Sequence, residues 1–147
     1  MKVSLTLNGE ALAEEVDPFA LLLDFVRARG LTATKEGCGV GVCGACAVLI
    51  DGRPASACLT FAGACEGAEV WTAEGIARTQ PGVVDAFIEH EAFGCGACTP
   101  GQLVAAAALA GEQDQVTDVR RYLAGNLCRC TGYAPIVQAV ESVLRRG

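Results

Sequence analysis

Eight of the nine cysteines in this chain fall into two groups of four, and each group has its own spacing. In the first cysteine group, C-x4-C-x2-C is followed by a fourth cysteine after eleven intervening residues: Cys38, Cys43, Cys46 and Cys58. The second cysteine group is a C-x2-C pair followed later by a C-x-C pair: Cys95, Cys98, Cys128 and Cys130. The first spacing is typical of plant-type [2Fe–2S] sites. We therefore predict a fold that places four thiolates around each of two [2Fe–2S] clusters, which together would relay electrons.

Two other metal centres fit this cysteine pattern less well. Structural zinc sites commonly pair one C-x2-C with another C-x2-C, and neither group has that form. A Rieske centre needs two histidine ligands, and the chain contains only His90, to which we assign no ligand role. Cys65, the ninth cysteine, belongs to neither group, and we expect a small buried thiol at that position.

The first half of the chain has the alternating pattern of a sheet. We predict strands over residues 2–7, 10–16, 46–51 and 69–71, and a helix over residues 19–29. Asn8-Gly9 and Asp51-Gly52 are strong signals for two-residue hairpin turns. A glycine-rich loop carries three cysteines of the first group, and glycine allows the positive φ angles that a loop around an anionic cluster needs. These elements predict a β-grasp domain over residues 1–75.

The second half of the chain has helical patterns. We predict helices over residues 83–91, from Thr99-Pro100 through residues 102–110, over residues 118–124 and over residues 133–144, which form an all-α four-helix bundle over residues 76–147. Thr99-Pro100 would open the second of these helices, Thr117 would cap the third, and Gly132-Tyr133 would open the fourth. Each cysteine pair of the second group precedes a helix start, where unpaired backbone N–H groups favour negative charge. The predicted fold class is therefore α+β.

Composition limits the partners of this chain. The formal net charge of −6 disfavours nucleic acid and anionic membrane surfaces, because both select for clusters of Lys and Arg. The 52% hydrophobic content is high for a free-standing protein with two small cores, so we expect part of the apolar surface to meet a protein partner. No run approaches the roughly 18 apolar residues of a membrane span. The first residues lack a secretory signal and a twin arginine, so we expect a cytoplasmic location.

Three segments resemble the small iron–sulfur subunit of the molybdenum hydroxylase family: GLTATKEGCGVGVCGACAVLIDGRPASAC, CGACTPG and CRCTGY. This family includes xanthine dehydrogenase, aldehyde oxidoreductase, carbon monoxide dehydrogenase and bacterial N-heterocycle dehydrogenases, and the resemblance covers nearly the whole chain. It implies a plant-type ferredoxin-like β-grasp domain followed by a four-helix domain. It also implies a large molybdopterin-binding subunit and a medium FAD-binding subunit as partners, which carry the molybdopterin cofactor and FAD.

The resemblance also implies a direction for the electrons. Substrate is oxidised at molybdenum, and electrons pass to the proximal cluster on the second cysteine group, then to the distal cluster on the first group, and from there to FAD. The chain is accordingly expected to be an electron-transfer subunit with no catalytic residue and no substrate-transforming site of its own. Purine, aldehyde, carbon monoxide and N-heterocycle substrates are all compatible with it, because substrate identity resides in the large subunit.

One alternative function and one departure from the family pattern follow from the same residues. The alternative is a self-sufficient two-cluster ferredoxin, a diffusible carrier that would be a monomer with a polar docking face. The departure is Gly94. The family commonly has glutamine at this place, immediately before the C-x2-C pair, where the side chain contacts the molybdopterin. Glycine offers only backbone groups there, so we expect the cofactor contact to differ in detail.

Overall fold

The computed structural model describes residues 1–111 and 118–146. Its strands are β1 (Lys2–Leu7), β2 (Glu10–Glu15), β3 (Ala47–Ile50), β4 (Arg53–Ser56) and β5 (Glu69–Trp71). Its α-helices are α1 (Leu22–Arg27), α2 (Ala73–Thr79), α3 (Pro81–Glu89), α4 (Thr99–Gly111), α5 (Val119–Tyr122) and α6 (Ala134–Arg146). The chain thus combines a five-stranded sheet with several helices. No helix within the described residues is long and apolar enough to cross a bilayer.

The five strands form one mixed sheet in the order β2-β1-β5-β3-β4. β1 and β5 run parallel at the centre, and the other neighbours are antiparallel. Both predicted hairpin turns are confirmed. Asn8 and Gly9 have φ angles of 51° and 88°, and Asp51 and Gly52 have φ angles of 49° and 79°. Two consecutive positive φ angles are the geometry of a two-residue type I′ turn.

Helix α1 covers one face of the sheet and begins three residues later than the sequence predicts. Its buried side chains, which include Leu22 and Val26, pack with inward-facing residues of β1, β3 and β5 in the first hydrophobic core. The residues before Leu22 are held instead by a distant segment, because Ala20 accepts from the Ala62 N–H and Leu22 donates to the Thr60 carbonyl. The predicted start at residue 19 was therefore wrong, since long-range pairing displaced the local helix signal.

The helices of the second half share a separate core. Buried residues of α3, α4 and α6 form it, among them Phe87, Leu109 and Ile136. The predicted third helix is shorter than expected, since α5 ends at Tyr122 and continues as a 3₁₀ turn, Leu123–Gly125. The Asp118 side chain caps α5 by accepting the Arg121 N–H at 3.1 Å, whereas the predicted cap, Thr117, lies outside the described residues.

Two features connect the sheet to the helices. A third hydrophobic core includes Leu49 of β3, Ile76 of α2 and Ala108 of α4. Asn8, in the first hairpin turn, donates through Nδ2 to Thr72 Oγ1 at 3.0 Å and accepts the Thr72 N–H at 2.8 Å. These buried bonds fix the point at which α2 starts, and the sequence reasoning did not assign α2 at all.

Candidate iron–sulfur centres

The loop of the first cysteine group wraps closely around the thiol of Cys38. Three backbone N–H groups point at its Sγ atom, from Val40 at 3.4 Å, Val42 at 3.3 Å and Cys43 at 3.4 Å. Successive N–H groups that converge on one point form an anion-binding nest. These bonds lower the pKa of the exposed Cys38 thiol to about 6, and the bond from Val40 has the largest effect. The anionic form of Cys38 is therefore favoured at neutral pH.

Glycine is required where this loop packs tightly. At Gly37, a Cβ atom would lie 2.8 Å from Cys43 Sγ, which is closer than side chains approach one another. At Gly44, φ is +74° and a Cβ atom would lie 2.5 Å from the side-chain nitrogen of Asn126. The loop therefore excludes side chains from the space beside the sulfurs, in agreement with the role predicted for its glycines.

The thiols of the first group influence one another electrostatically. Cys38 interacts with Cys43, and Cys46 interacts with both Cys43 and Cys58. Cys38 is exposed, whereas Cys46 and Cys58 are buried in the first core. Burial raises the pKa of Cys46 to about 11. A buried thiol of this kind becomes a ligand when a cation takes the place of its proton.

The thiols of the second group influence one another in the same way. Cys95 interacts with Cys130 and Cys128, and Cys98 interacts with Cys128 and Cys95. Burial raises the pKa of Cys98 to about 12. A hydrogen bond from the Ala97 backbone lowers the pKa of Cys95. Each group therefore contains one exposed thiol with a lowered pKa and one more buried thiol with a raised pKa.

Thr131 and Tyr133 hold Cys128 in place, whereas the sequence reasoning assigned no role to Thr131 and gave Tyr133 only a position at the start of a helix. Cys128 Sγ lies 3.2 Å from Thr131 Oγ1, and the Cys128 N–H donates to the Tyr133 hydroxyl at 2.9 Å. Against the opposing effect of burial, the Thr131 hydroxyl helps to lower the pKa of Cys128 to about 7. The signal was present in the sequence, because both residues follow Cys130 closely in the segment CRCTGY.

Gly94 packs directly against the second group. A Cβ atom at this position would lie 2.5 Å from the Cβ atom of Cys130 and 3.3 Å from its Sγ atom. The backbone at Gly94 therefore has no room for a side chain unless Cys130 moves. Gly94 thus stands where the family usually has glutamine, and its backbone packs closely against Cys130, a predicted ligand.

The remaining candidate residues lie apart from the two groups. Cys65 is 1% exposed within the first core, which confirms the buried thiol expected there. Burial, together with the charge of Asp51, raises its pKa. Among residues 1–111 and 118–146, no three Cys, His, Asp or Glu side chains converge on a position for one metal ion. A [2Fe–2S] cluster divides its four thiolates between two irons, so its ligands need not converge on a single point.

The donor sets and their surroundings fit [2Fe–2S] clusters. Each set consists of four thiols and nothing else, backbone N–H groups point at the sulfur of Cys38, and glycines keep the adjoining space free of side chains. Apolar side chains lie exposed beside both groups. Val40 and Val42 stand in the first loop, and Phe93 and Leu127 lie next to the second group.

Comparison with known proteins agrees with this geometry. A family model described as "2Fe-2S iron-sulfur cluster binding domain" matches residues 19–88, and one described as "[2Fe-2S] binding domain" matches residues 72–141. The fold, the two cysteine groups and the two matches define a protein that binds two [2Fe–2S] clusters.

Relatives of known name identify the family. The chain is 41% identical to the xanthine dehydrogenase iron-sulfur-binding subunit of Escherichia coli, over 94% of this chain and 91% of that protein. It is also 41% identical to the nicotinate dehydrogenase small FeS subunit of Eubacterium barkeri, over 98% of this chain and 95% of that protein. The crystal structure of quinoline 2-oxidoreductase from Pseudomonas putida 86 matches with a TM-score of 0.87 and 43% identity, covering 100% of this chain and 97% of that one. The chain belongs to the small iron–sulfur subunits of the molybdenum hydroxylase family, which confirms the resemblance seen in its motifs.

Proposed function

We propose that this chain is the electron-transfer subunit of a molybdenum-dependent hydroxylase or dehydrogenase. In this role it relays electrons from a molybdopterin centre through two [2Fe–2S] clusters to FAD or another acceptor, and it transforms no substrate itself. The observation that supports the proposal is that three backbone N–H groups of the first cysteine loop point at Cys38 Sγ, in a chain that has the fold of this family. When bound, each [2Fe–2S] cluster accepts and releases one electron.

The ligands that we propose are the eight grouped cysteines. Cys38, Cys43, Cys46 and Cys58 would hold the distal cluster, and Cys95, Cys98, Cys128 and Cys130 would hold the proximal cluster. The chain contributes more than these sulfurs. N–H groups of the first loop stabilise negative charge on Cys38, and burial of Cys46 and Cys58 keeps water from the inner side of the distal site.

We also propose a division into two domains, a β-grasp, plant-type ferredoxin-like domain over residues 1–75 and a helical [2Fe–2S] domain over residues 76–147. The mixed sheet with α1 on one face supports the first, and the core of α3, α4 and α6 supports the second. Helix α2 spans the proposed boundary, and its Ile76 packs in the core that connects the sheet to α4.

The partners that we propose are a large molybdopterin-binding subunit and a medium FAD-binding subunit. Phe93 and Leu127 support a partner surface beside the proximal site, and Val40 and Val42 support another beside the distal site, because exposed apolar groups in such positions are normally covered by protein. The relatives are named for xanthine, nicotinate and quinoline, so we place substrate choice in the large subunit. The nine cysteines form no disulfide with one another, which supports a cytoplasmic location.

The substitution Cys98→Ser in the native complex tests the relay. We expect it to remove the proximal cluster, so that substrate still reduces molybdenum but electrons no longer reach the acceptor. Anaerobic metal analysis and low-temperature EPR would count the clusters, and rapid mixing with substrate would follow reduction of each centre. The matched control is Cys65→Ala, which removes a buried thiol outside both groups and should leave both clusters and the electron flow intact.

Two results would contradict the proposal. One is electron flow at the normal rate in a Cys98→Ser complex that lacks the proximal cluster. The other is isolation of the wild-type chain as an iron-free protein under anaerobic conditions. A chain that carries two clusters but purifies without molybdenum or a larger subunit would instead identify the diffusible two-cluster ferredoxin.

A further inference from the structure

The loops of the two cysteine groups touch each other directly. The Leu127 N–H, one residue before Cys128, donates to the carbonyl oxygen of Cys43 at 2.9 Å. Cys43 belongs to the first group and Cys128 to the second. A single hydrogen bond therefore connects the main chain beside one predicted ligand to the main chain of another.

A buried asparagine strengthens this contact. Asn126 is 8% exposed, and its Nδ2 donates to the carbonyl oxygens of Gly44 at 3.3 Å and Gly101 at 3.2 Å. Gly44 follows Cys43 in the first loop, and Gly101 lies in the first turn of α4, three residues after Cys98. The Asn126 side chain thus binds the main chain of the first cysteine loop and that of the first turn of α4. It lies beside the hydrogen bond made by Leu127.

A buried glutamine holds Asn126 in turn. Gln102 is fully buried on α4, where the other buried residues are apolar or glycine, and its Nε2 donates to the Asn126 carbonyl oxygen at 2.8 Å. Its Oε1 has no hydrogen-bond partner within the described residues. An amide in such a place costs stability relative to an apolar side chain, so helix packing alone does not account for it.

Two glycines allow the main chains to approach closely around Asn126. A Cβ atom on Gly101 would overlap the carbonyl oxygen of Gly44 and would lie 3.1 Å from its carbonyl carbon. A Cβ atom on Gly44 would lie 2.5 Å from the carbonyl oxygen of Gly125. The main chains of the two loops therefore meet at the closest approach that the backbone allows.

We propose that Asn126 and Gln102 are positioning residues that hold the two cysteine loops in contact and thereby set the rate at which electrons pass between the clusters. This inference rests on the proposed relay function. Electron tunnelling weakens steeply with distance and is weaker across a gap than through bonded atoms. A small separation of the loops therefore slows the transfer between the clusters, even when every cysteine still binds its cluster.

The test compares Asn126→Asp and Gln102→Leu with the wild-type complex. Asn126→Asp keeps the shape of the side chain but replaces the donor with an oxygen that faces two carbonyl oxygens. Gln102→Leu removes the amide from an otherwise apolar environment. The matched control is Gln138→Leu, which makes the same change as Gln102→Leu at an exposed position on α6.

Three measurements separate positioning from a general structural role. Iron analysis and EPR spin counting give the number of clusters, the magnetic interaction between the two reduced clusters reports their separation, and flash reduction gives the rate of transfer between them. We expect the two amide variants to keep both clusters, to show a weaker magnetic interaction, and to slow the transfer by about tenfold to a hundredfold, the range typical of residues that orient metal ligands. Gln138→Leu should match the wild type.

The outcomes distinguish failure of this inference from failure of the proposed relay function. A wild-type complex without two cluster signals overturns the proposed function, and the inference falls with it. Two clusters in the wild type, together with a normal transfer rate and magnetic interaction in Asn126→Asp, overturn the inference alone. If Asn126→Asp does not assemble, Gln102→Leu decides in the same way, with slower transfer supporting the inference and unchanged transfer refuting it.

Discussion

The substitution Gly101→Ala places two physical effects in opposition. Gly101 lies in the first turn of helix α4, and replacing a helical glycine by alanine stabilises a protein by at most about 1 kcal/mol. Here the new Cβ atom would overlap the Gly44 carbonyl oxygen, which belongs to the main chain and cannot rotate away. Added atoms in a tightly packed site cost about 1–3 kcal/mol.

The clash should therefore outweigh the helix preference. With a cost near the upper end of that range, the net loss is about 2 kcal/mol, obtained by subtracting the gain in helix preference from the packing cost. For a chain of this size the loss corresponds to a melting temperature lower by about 4–8 °C. The visible circular dichroism of the clusters, followed during anaerobic heating of the complex, would measure the shift.

A second glycine on a helix is the control. Gly82 lies in α3, and a Cβ atom there would meet nothing within 4 Å. We expect Gly82→Ala to leave the melting temperature unchanged or slightly higher, because helix preference acts there without a clash. A Gly101→Ala complex that melts at or above the wild-type temperature would show that the loops are not packed as closely as described.

Three further predictions concern other parts of the chain. Asn8→Ala should lower the free energy of unfolding by about 2–3 kcal/mol, since it removes two buried hydrogen bonds and places alanine at a positive φ angle; chemical denaturation would measure it. Gly94→Ala should disturb the proximal site by displacing Cys130, which an altered proximal EPR signal beside an unchanged distal one would reveal. The hydrogen bond from Arg146 lowers the pKa of Glu89 in the folded protein. The pair therefore stabilises the fold when the pH is above the pKa of Glu89 in the unfolded chain, and this stabilisation is lost as the pH falls through the pKa in the folded protein. The difference in melting temperature between wild type and Arg146→Gln should therefore shrink on acidification, and a difference that grew would contradict the pairing.

Local signals predicted the elements that local geometry determines. The hairpin turns at Asn8-Gly9 and Asp51-Gly52 form where the sequence places them, because asparagine, aspartate and glycine tolerate the positive φ angles of these turns. Helix α4 begins at Thr99, the residue that precedes its first-turn proline. Elsewhere distant contacts changed the outcome. Residues 60 and 62 bind the segment before α1 and delay the start of that helix, and the α2 segment was not assigned.

The spacing of the cysteines alone was enough to predict two iron–sulfur sites, because the number and spacing of thiolates along the chain reflect what a cluster requires of its ligands. Only the tertiary structure placed the two cysteine loops side by side. Asn126 and Gln102 look like ordinary polar residues in the sequence, and neither lies in a cysteine motif. Their role depends on Gly44, 82 positions from Asn126 along the chain, and a contact across that separation exists only once the sheet and the helices have packed together.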